Sequence, residues 1–145
     1  IDRVQNPGNL GSIFRSANAV GVKGIALIGH STDVYDMQAI RSSIGACFEI
    51  PFQYFESNTE LEEWIAELKQ NTEVEVLGTS AKAEKSIYDF KKTKTTILMI
   101  GSEAKGLSEH LVGLTDINLS LPMKGSVSSL NAACSTTAIL YQLIK

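Results

Sequence analysis

Two short apolar runs, each ending in glycine, constrain the fold of this chain more than any other feature. Residues 24–29 (GIALIG) and 95–101 (TTILMIG) are too short for core helices, and apolar residues dominate both. Such runs are typical of parallel strands that are buried on both faces of a sheet. Weaker strand patterns occur at 49–55, 74–79 and 116–121, and helical patterns at 12–20, 37–44, 58–71, 108–114 and 128–144. Because strands alternate with helices, we predict an α/β fold with a mainly parallel sheet flanked by helices.

Length and composition fit one globular domain. The chain has 145 residues, 43% of them hydrophobic, and neither a repeat nor a linker interrupts it. These values exclude intrinsic disorder, and no apolar run reaches the roughly 18 residues that a membrane helix requires. Cys47 and Cys134 are far apart and form no CxxC motif, so neither a disulfide framework nor a zinc site is indicated. We expect a cytoplasmic protein that binds neither a metal nor a membrane.

The net charge of −3 is weak evidence against a nucleic-acid partner. The negative charge is concentrated, however, because residues 56–76 contain seven glutamates and one lysine. These residues include the predicted helix 58–71, whose charged face is best interpreted as solvated surface. The rest of the chain has an excess of basic residues.

Common catalytic and nucleotide-binding motifs are absent. The chain contains no GxGxxG after its first predicted strand, no GxxxxGK[ST] and no GxSxG. Its two histidines, His30 and His110, lie outside any cluster of possible ligands. A dinucleotide-dependent oxidoreductase, a metal-dependent enzyme and a Ser-His hydrolase are therefore poorly supported.

The first of three glycine-marked segments is residues 9–15 (NLGSIFR). It is typical of a turn that leads into a helix. Arg15 would then lie one turn into that helix, near the positive end of the helix dipole. Because the helix dipole disfavours a cation there, Arg15 could be placed for a phosphate or a carboxylate. Spacing alone favours the simpler alternative, a surface arginine paired with an acidic residue.

The second segment, residues 101–107 (GSEAKGL), directly follows a predicted strand. Ligands of α/β sheets bind at the carboxyl ends of strands, and the flanking glycines would let the main chain approach a ligand closely. Glu103 could accept hydrogen bonds or pair with Arg15. The alternative is an ordinary strand-to-helix turn.

The third segment, residues 121–131 (LPMKGSVSSLN), leads into the last predicted helix. Ser128 or Ser129 is readily explained as the N-cap of that helix. Asn131 would lie inside the helix, where asparagine is unfavourable, so a functional role is favoured for it. The alternative is a capped helix that packs tightly in the core.

In this order, the three segments resemble the signature of the SpoU (TrmH-like) family of SPOUT methyltransferases. The family motifs are N-x-G-x-x-x-R, G-x-E-x-x-G-L and P-M-x-G-x-x-x-S-L-N. The matching residues are Asn9, Gly11 and Arg15; Gly101, Glu103, Gly106 and Leu107; and Pro122, Met123, Gly125, Ser129, Leu130 and Asn131. Residues 39–46 (AIRSSIGA) also resemble the family's segment between its first two motifs.

The resemblance implies a C-terminal trefoil knot, a homodimer, and S-adenosylmethionine as cofactor with S-adenosylhomocysteine as its product. The family holds this cofactor with its second and third motifs and with the turn after an earlier strand. The implied cofactor site is Gly78, Thr79, Ser80, Gly101, Glu103, Gly106, Leu119, Leu121, Met123, Ser129, Leu130 and Asn131. Because this cofactor has no phosphates, a phosphate-binding glycine motif is not expected.

The implied reaction is methyl transfer to a ribose 2′-hydroxyl of tRNA or rRNA. The implied catalytic residues are Asn9, Arg15, Glu103, Ser129 and Asn131. A guanidinium group is a poor base, so Arg15 is not expected to remove a proton. We therefore expect it to clamp an RNA phosphate and to stabilise the developing alkoxide, while the other residues orient it, the ribose or the cofactor.

Two alternatives remain open, a SPOUT enzyme that methylates a base and a non-catalytic knotted module that binds RNA or cofactor. Many family members carry a small RNA-binding domain before the first motif. We therefore expect residues 1–145 to form the catalytic domain, with an N-terminal substrate-binding domain outside this chain.

Overall fold

A computed structural model describes all 145 residues and shows helices alternating with strands. The helices are α1 (Pro7–Ala19), α2 (Met37–Ser43), α3 (Asn58–Asn71), α4 (Glu109–Gly113) and α5 (Ala132–Leu143). The strands are β1 (Ile25–Ile28), β2 (Phe52–Phe55), β3 (Val74–Thr79), β4 (Lys85–Ser86), β5 (Thr95–Leu98) and β6 (Ile117–Ser120). The predicted α/β class is confirmed.

Every paired strand runs parallel to its neighbour. One sheet has the order β1-β2 and the other has the order β4-β6-β3-β5. Residues 1–3 lie between the two sheets, because the Asp2 amide donates to the Ile100 carbonyl (2.8 Å) and the Arg3 amide donates to the Ile28 carbonyl (3.1 Å). These bonds join β1 to the chain that follows β5, at the carboxyl ends of both strands.

The strand order places three connections at one edge of the larger sheet. The chain leaves β3, β5 and β6 at the carboxyl ends of parallel strands, so the segments that follow share that edge. β6 comes later in the chain than β3 and β4 but lies between them. Residues 80–84, which connect β3 to β4, therefore span the end of β6.

Packing against α2 explains the glycine in the middle of α1. α1 buries Leu10, Phe14 and Ala17 in the larger hydrophobic cluster. A Cβ at Gly11 would overlap the Ser42 hydroxyl and the Ala39 carbonyl of α2. Glycine at this position therefore permits close contact between the two helices.

The ends of two helices differ from the prediction. α1 begins at Pro7 rather than at residue 12, because the Asn6 side chain caps it by accepting from the Asn9 amide (2.9 Å), and proline is favoured at the first helical position. α5 begins at Ala132 rather than at residue 128. α3 spans the predicted residues and buries Leu61 and Ile65. None of the helices combines the length and the apolar character needed to cross a bilayer.

Candidate functional site

The three motif segments and the turn after β3 come together at the carboxyl edge of the sheet. The hydroxyl of Thr79 donates to the Met99 carbonyl (3.1 Å), and the amide of Ser80 donates to the Leu119 carbonyl (3.0 Å). These bonds tie the turn after β3 to the ends of both neighbouring strands. The predicted cofactor residues therefore lie on three adjacent connections, although 53 positions separate Gly78 from Asn131 in the sequence.

A chain of side-chain hydrogen bonds connects all three motifs. Asn9 Nδ2 donates to Glu103 Oε1 (2.8 Å), and Asn131 Nδ2 donates to Asn9 Oδ1 (2.8 Å). We call these three residues the polar network. It links α1, the loop after β5 and the start of α5, so one residue from each motif contributes to it.

Asn131 has a structural role as well. Its side-chain oxygen accepts from the amides of Ala133 (2.9 Å) and Cys134 (3.3 Å), which makes it the N-cap of α5. The prediction that Ser128 or Ser129 caps this helix is wrong, because the chain becomes helical only after Asn131. The amide group of Asn131 thus serves two purposes: its oxygen caps α5 and its nitrogen holds Asn9.

Arg15 is not part of the polar network. It follows Asn9 by roughly 1.7 helical turns and therefore leaves α1 from a different face. Its side chain is exposed and forms no salt bridge, so neither the suggested pair with Glu103 nor an ordinary surface ion pair is present. Because α1 starts at Pro7, Arg15 lies in the third turn, beyond the reach of the N-terminal dipole. The dipole argument for this residue is therefore wrong.

Residues 101–107 form a loop that folds back on itself. The amides of Ser102 and Gly106 each donate to the carbonyl of the other residue, at 3.1 and 2.9 Å. A Cβ at Gly101 would overlap the main chain of Gly106 and Leu107, and Gly106 has a φ of +68°. The conformation of the loop itself therefore requires glycine at both positions. Gly78 is similar, because a Cβ there would overlap the side chain of Asn118.

The segment between β6 and α5 has an unusual lack of internal hydrogen bonds. Residues 121–130 form none, through either main chain or side chains. Ser129 and Leu130 are exposed, Leu121 and Met123 are half-buried, and Leu119 at the end of β6 is buried. Ten consecutive residues therefore keep their main-chain donors and acceptors free beside apolar side chains.

Four exposed lysines lie at two different ends of the sheet. Lys105 and Lys124 belong to the loops of the candidate site. Lys91 and Lys92 precede Thr95, the first residue of β5, and therefore lie at the amino end. Lys91, Lys92 and Lys105 are close in sequence, but only Lys105 lies at the candidate site.

Sequence reasoning missed two residues next to the loop 101–107. Asp2 Oδ2 accepts from the Ser108 amide (2.9 Å), and Arg3 Nη2 donates to the Gly106 carbonyl (3.1 Å). An Asp-Arg pair has no distinctive pattern, and the only signal was its position just before the first motif.

A mainly apolar cavity lies elsewhere in the molecule. It has a volume of about 740 Å³, lies between α1, α3, α5 and strands β1, β2 and β5, and is lined by none of the five predicted catalytic residues. No group of three or more His, Cys, Asp or Glu side chains forms a cluster that could hold a metal ion. Four of the predicted catalytic residues, Arg15, Glu103, Ser129 and Asn131, are exposed, so the candidate site lies at the molecular surface.

Comparison with known proteins connects this surface to a family. Residues 1–141 match the model of the SpoU rRNA Methylase family. The chain is 43% identical to the 23S rRNA (uridine(2479)-2′-O)-methyltransferase of Streptomyces viridochromogenes, over 99% of this chain and 50% of that protein. It is 32% identical to the 23S rRNA (guanosine(2553)-2′-O)-methyltransferase RlmP of Bacillus subtilis, over 99% of this chain and 56% of that protein.

Solved structures give the same result. The SpoU methyltransferase AviRb of Streptomyces viridochromogenes, in complex with the cofactor AdoMet, is 43% identical with a TM-score of 0.92, over 99% of this chain and 54% of that chain. An AdoMet-bound rRNA methyltransferase of Sinorhizobium meliloti is 32% identical with a TM-score of 0.86, over 97% of this chain and 52% of that chain. The chain spans about half the length of the curated relatives it matches.

Proposed function

Because this chain belongs to the SpoU rRNA methylase family, we propose that it transfers a methyl group from S-adenosylmethionine to a ribose 2′-hydroxyl of RNA. The polar network carries this proposal, because it brings one residue from each family motif to a single edge of the sheet. The curated relatives at 43% and 32% identity are named as 23S rRNA 2′-O-methyltransferases, which favours rRNA over tRNA as the substrate.

The candidate site fits the proposed cofactor in its chemistry. The segment 121–130 offers free main-chain donors and acceptors next to the apolar side chains of Leu121, Met123 and Leu130. Such a surface suits a purine and a ribose, which combine an apolar ring face with hydrogen-bonding edges. We propose that this segment, together with residues 78–80 and the loop 101–107, holds the cofactor.

When bound, the cofactor supplies an electrophilic methyl group, so the protein has mainly to position the reactants and allow one proton to leave. Glu103 accepts from Asn9 through Oε1, which leaves Oε2 free to orient a ligand. Ser129, which is exposed and forms no hydrogen bond within the chain, can orient the ribose or the cofactor.

Arg15 supplies the positive charge in this proposal. Its guanidinium is exposed and unpaired, so it can clamp an RNA phosphate without first breaking an ion pair. Because Arg15 leaves α1 away from the polar network, we propose that RNA extends from the cofactor edge across α1.

We further propose that the C-terminal segment is knotted. The strand order supports this, because β6 lies between β3 and β4 while residues 80–84 pass over its end. The chain that continues from β6 to α5 has to leave beside that connection. A homodimer and an N-terminal substrate-binding domain before this catalytic domain are also proposals, the latter supported by the greater length of the relatives.

The experiment that tests the function combines binding with RNA mapping. Calorimetric titration with S-adenosylhomocysteine, with NAD as the control ligand, tests the cofactor. Mapping of 2′-O-methyl sites in rRNA and tRNA, from cells with and without the gene, tests the reaction. Loss of one ribose methylation on deletion supports the proposal, and loss of a base methylation contradicts it. Cofactor binding with no change in RNA would identify a non-catalytic module.

A further inference from the structure

Asp2 and Arg3 form an ion pair that the proposed reaction does not use. Arg3 Nε and Nη2 donate to the two oxygens of Asp2, both at 2.8 Å. The Asp2 side chain is 5% exposed and that of Arg3 is 31% exposed. The hydrogen bond from Arg3 to Asp2 raises the pKa of Arg3.

This pair contacts the loop 101–107 at both of its ends. Before the loop, the Asp2 amide donates to the Ile100 carbonyl (2.8 Å). At the other end of the loop, Arg3 Nη2 donates to the Gly106 carbonyl (3.1 Å). Directly after the loop, the Ser108 amide donates to Asp2 Oδ2 (2.9 Å). The same two residues therefore fix where the loop begins and where it ends.

The backbone at Arg3 is strained. Its φ of +53° lies in the left-handed region, which residues other than glycine rarely adopt. The facing residue, Gly29, has a φ of +67°, and a Cβ there would overlap Cγ of Arg3. A strained residue persists only where its surroundings hold it, and such residues cluster at functional sites.

Resting on the function proposed above, we propose that Arg3 is a positioning residue that, together with Asp2, holds the loop 101–107 in its cofactor-binding conformation. The loop has only two main-chain hydrogen bonds of its own, those between Ser102 and Gly106. Arg3 fixes its base through Gly106, and Asn9 fixes its tip through Glu103. Loss of the Arg3 contact would leave the base of the loop free to move, with a cost in cofactor affinity.

The test replaces Arg3 with glutamine, which keeps Cβ and Cγ but removes the bidentate pair. We expect Arg3→Gln to increase hydrogen exchange at the Gly106 amide about tenfold without cofactor, and to raise the Kd for S-adenosylhomocysteine by a similar factor. We expect kcat at saturating cofactor to stay unchanged, and Arg3→Lys to restore part of the affinity. Lys23→Gln is the matched control, because Lys23 is exposed and forms no salt bridge.

A second variant acts on Arg3 without changing it. Gly29→Ala would push against Cγ of Arg3 and should reproduce the faster exchange in the loop. Unchanged exchange at Gly106 and unchanged cofactor affinity in Arg3→Gln would overturn the inference, even if Gly29→Ala failed to fold. If the unsubstituted protein did not bind S-adenosylhomocysteine, the proposed function would fail, while the exchange measurement would still test the loop.

Discussion

Arg15 is the charged residue of the candidate catalytic set whose side chain forms no ion pair within the chain. We expect Arg15→Ala to reduce methyl transfer at least about 100-fold, because loss of the phosphate clamp would misplace the attacking hydroxyl, and a misplacement of about 1 Å can cost that much. Cofactor affinity should stay the same, since Arg15 lies outside the loops of the proposed cofactor site. Single-turnover methylation and calorimetry with S-adenosylhomocysteine measure the two effects. Normal turnover of this variant would remove Arg15 from the mechanism.

Two substitutions can separate the roles of Asn131 as the N-cap of α5 and as the donor to Asn9. Asn131→Ala removes both, so we expect a loss of about 1 kcal/mol in the free energy of unfolding together with weaker cofactor binding. Asn131→Asp keeps an oxygen for the cap but removes the donor to Asn9. This variant should therefore keep its stability and lose activity.

Urea denaturation and methylation assays on both variants check this expectation. Equal activity in Asn131→Asp and the unsubstituted protein would contradict a role for the polar network. Ser128→Ala is the control, because Ser128 is exposed and caps no helix.

The sequence identified Asn131 and Arg15 as residues of interest, but the physical reasons given for them were incomplete. Asparagine was judged unfavourable inside a helix, whereas the helix begins one residue later and Asn131 caps it. The predicted helix starts at residue 12, one turn before Arg15, whereas α1 starts at Pro7, eight residues before Arg15. Both errors have one cause: a helix end depends on which side chain reaches a free amide, and propensity does not determine that.

Gly11, a residue of the first motif, permits the close packing of α1 against α2. We expect Gly11→Ala to destabilise the protein by about 2 kcal/mol, because the added methyl group overlaps the Ala39 carbonyl of α2. Gly113→Ala is the matched control. Gly113 is also a helical residue, the last of α4, and a Cβ there would meet no atom within 4 Å. Thermal unfolding of the two variants checks this. Equal melting temperatures would show that α1 and α2 can move apart at little cost.

The elements themselves could largely be predicted. Strands β1, β3 and β5 and helix α3 follow from apolar runs and from one clear amphipathic stripe. Pro51 directly precedes β2, which pairs only with β1, and proline is tolerated at such sheet edges. The two-residue strand β4 was missed, because its pairing with β6 depends on a distant part of the chain and leaves no pattern in Lys85 and Ser86.

The order of the strands in the sheets could not be predicted from residue patterns. The insertion of β6 between β3 and β4, and the position of residues 1–3 between two sheets, are long-range pairings. Local hydrophobicity carries no information about them. The motif resemblance supplied the fold family and the candidate residues, while the hydrogen bonds of the polar network showed which motif residues contact one another.

The arrangement of lysines across the whole molecule leads to a test of where RNA binds. Lys105 and Lys124 lie in the loops of the site, whereas Lys91 and Lys92 lie before β5 at the opposite end of the strands. All four are exposed, so the two double substitutions to glutamine change the net charge equally. We expect Lys105→Gln with Lys124→Gln to raise the KM for rRNA several-fold and to reduce the salt dependence of binding. The slope of the logarithm of the binding constant against the logarithm of salt concentration should fall by about 1.4, since each of two phosphate contacts to a single strand contributes about 0.7.

Lys91→Gln with Lys92→Gln should leave both quantities unchanged, because RNA at the carboxyl edge would not reach the amino end of β5. Filter binding at several salt concentrations separates the two pairs. If the Lys91 and Lys92 substitutions weakened binding as much as the other pair, RNA would have to cover both ends of the sheet, and long-range charge rather than local phosphate contact would explain its attraction.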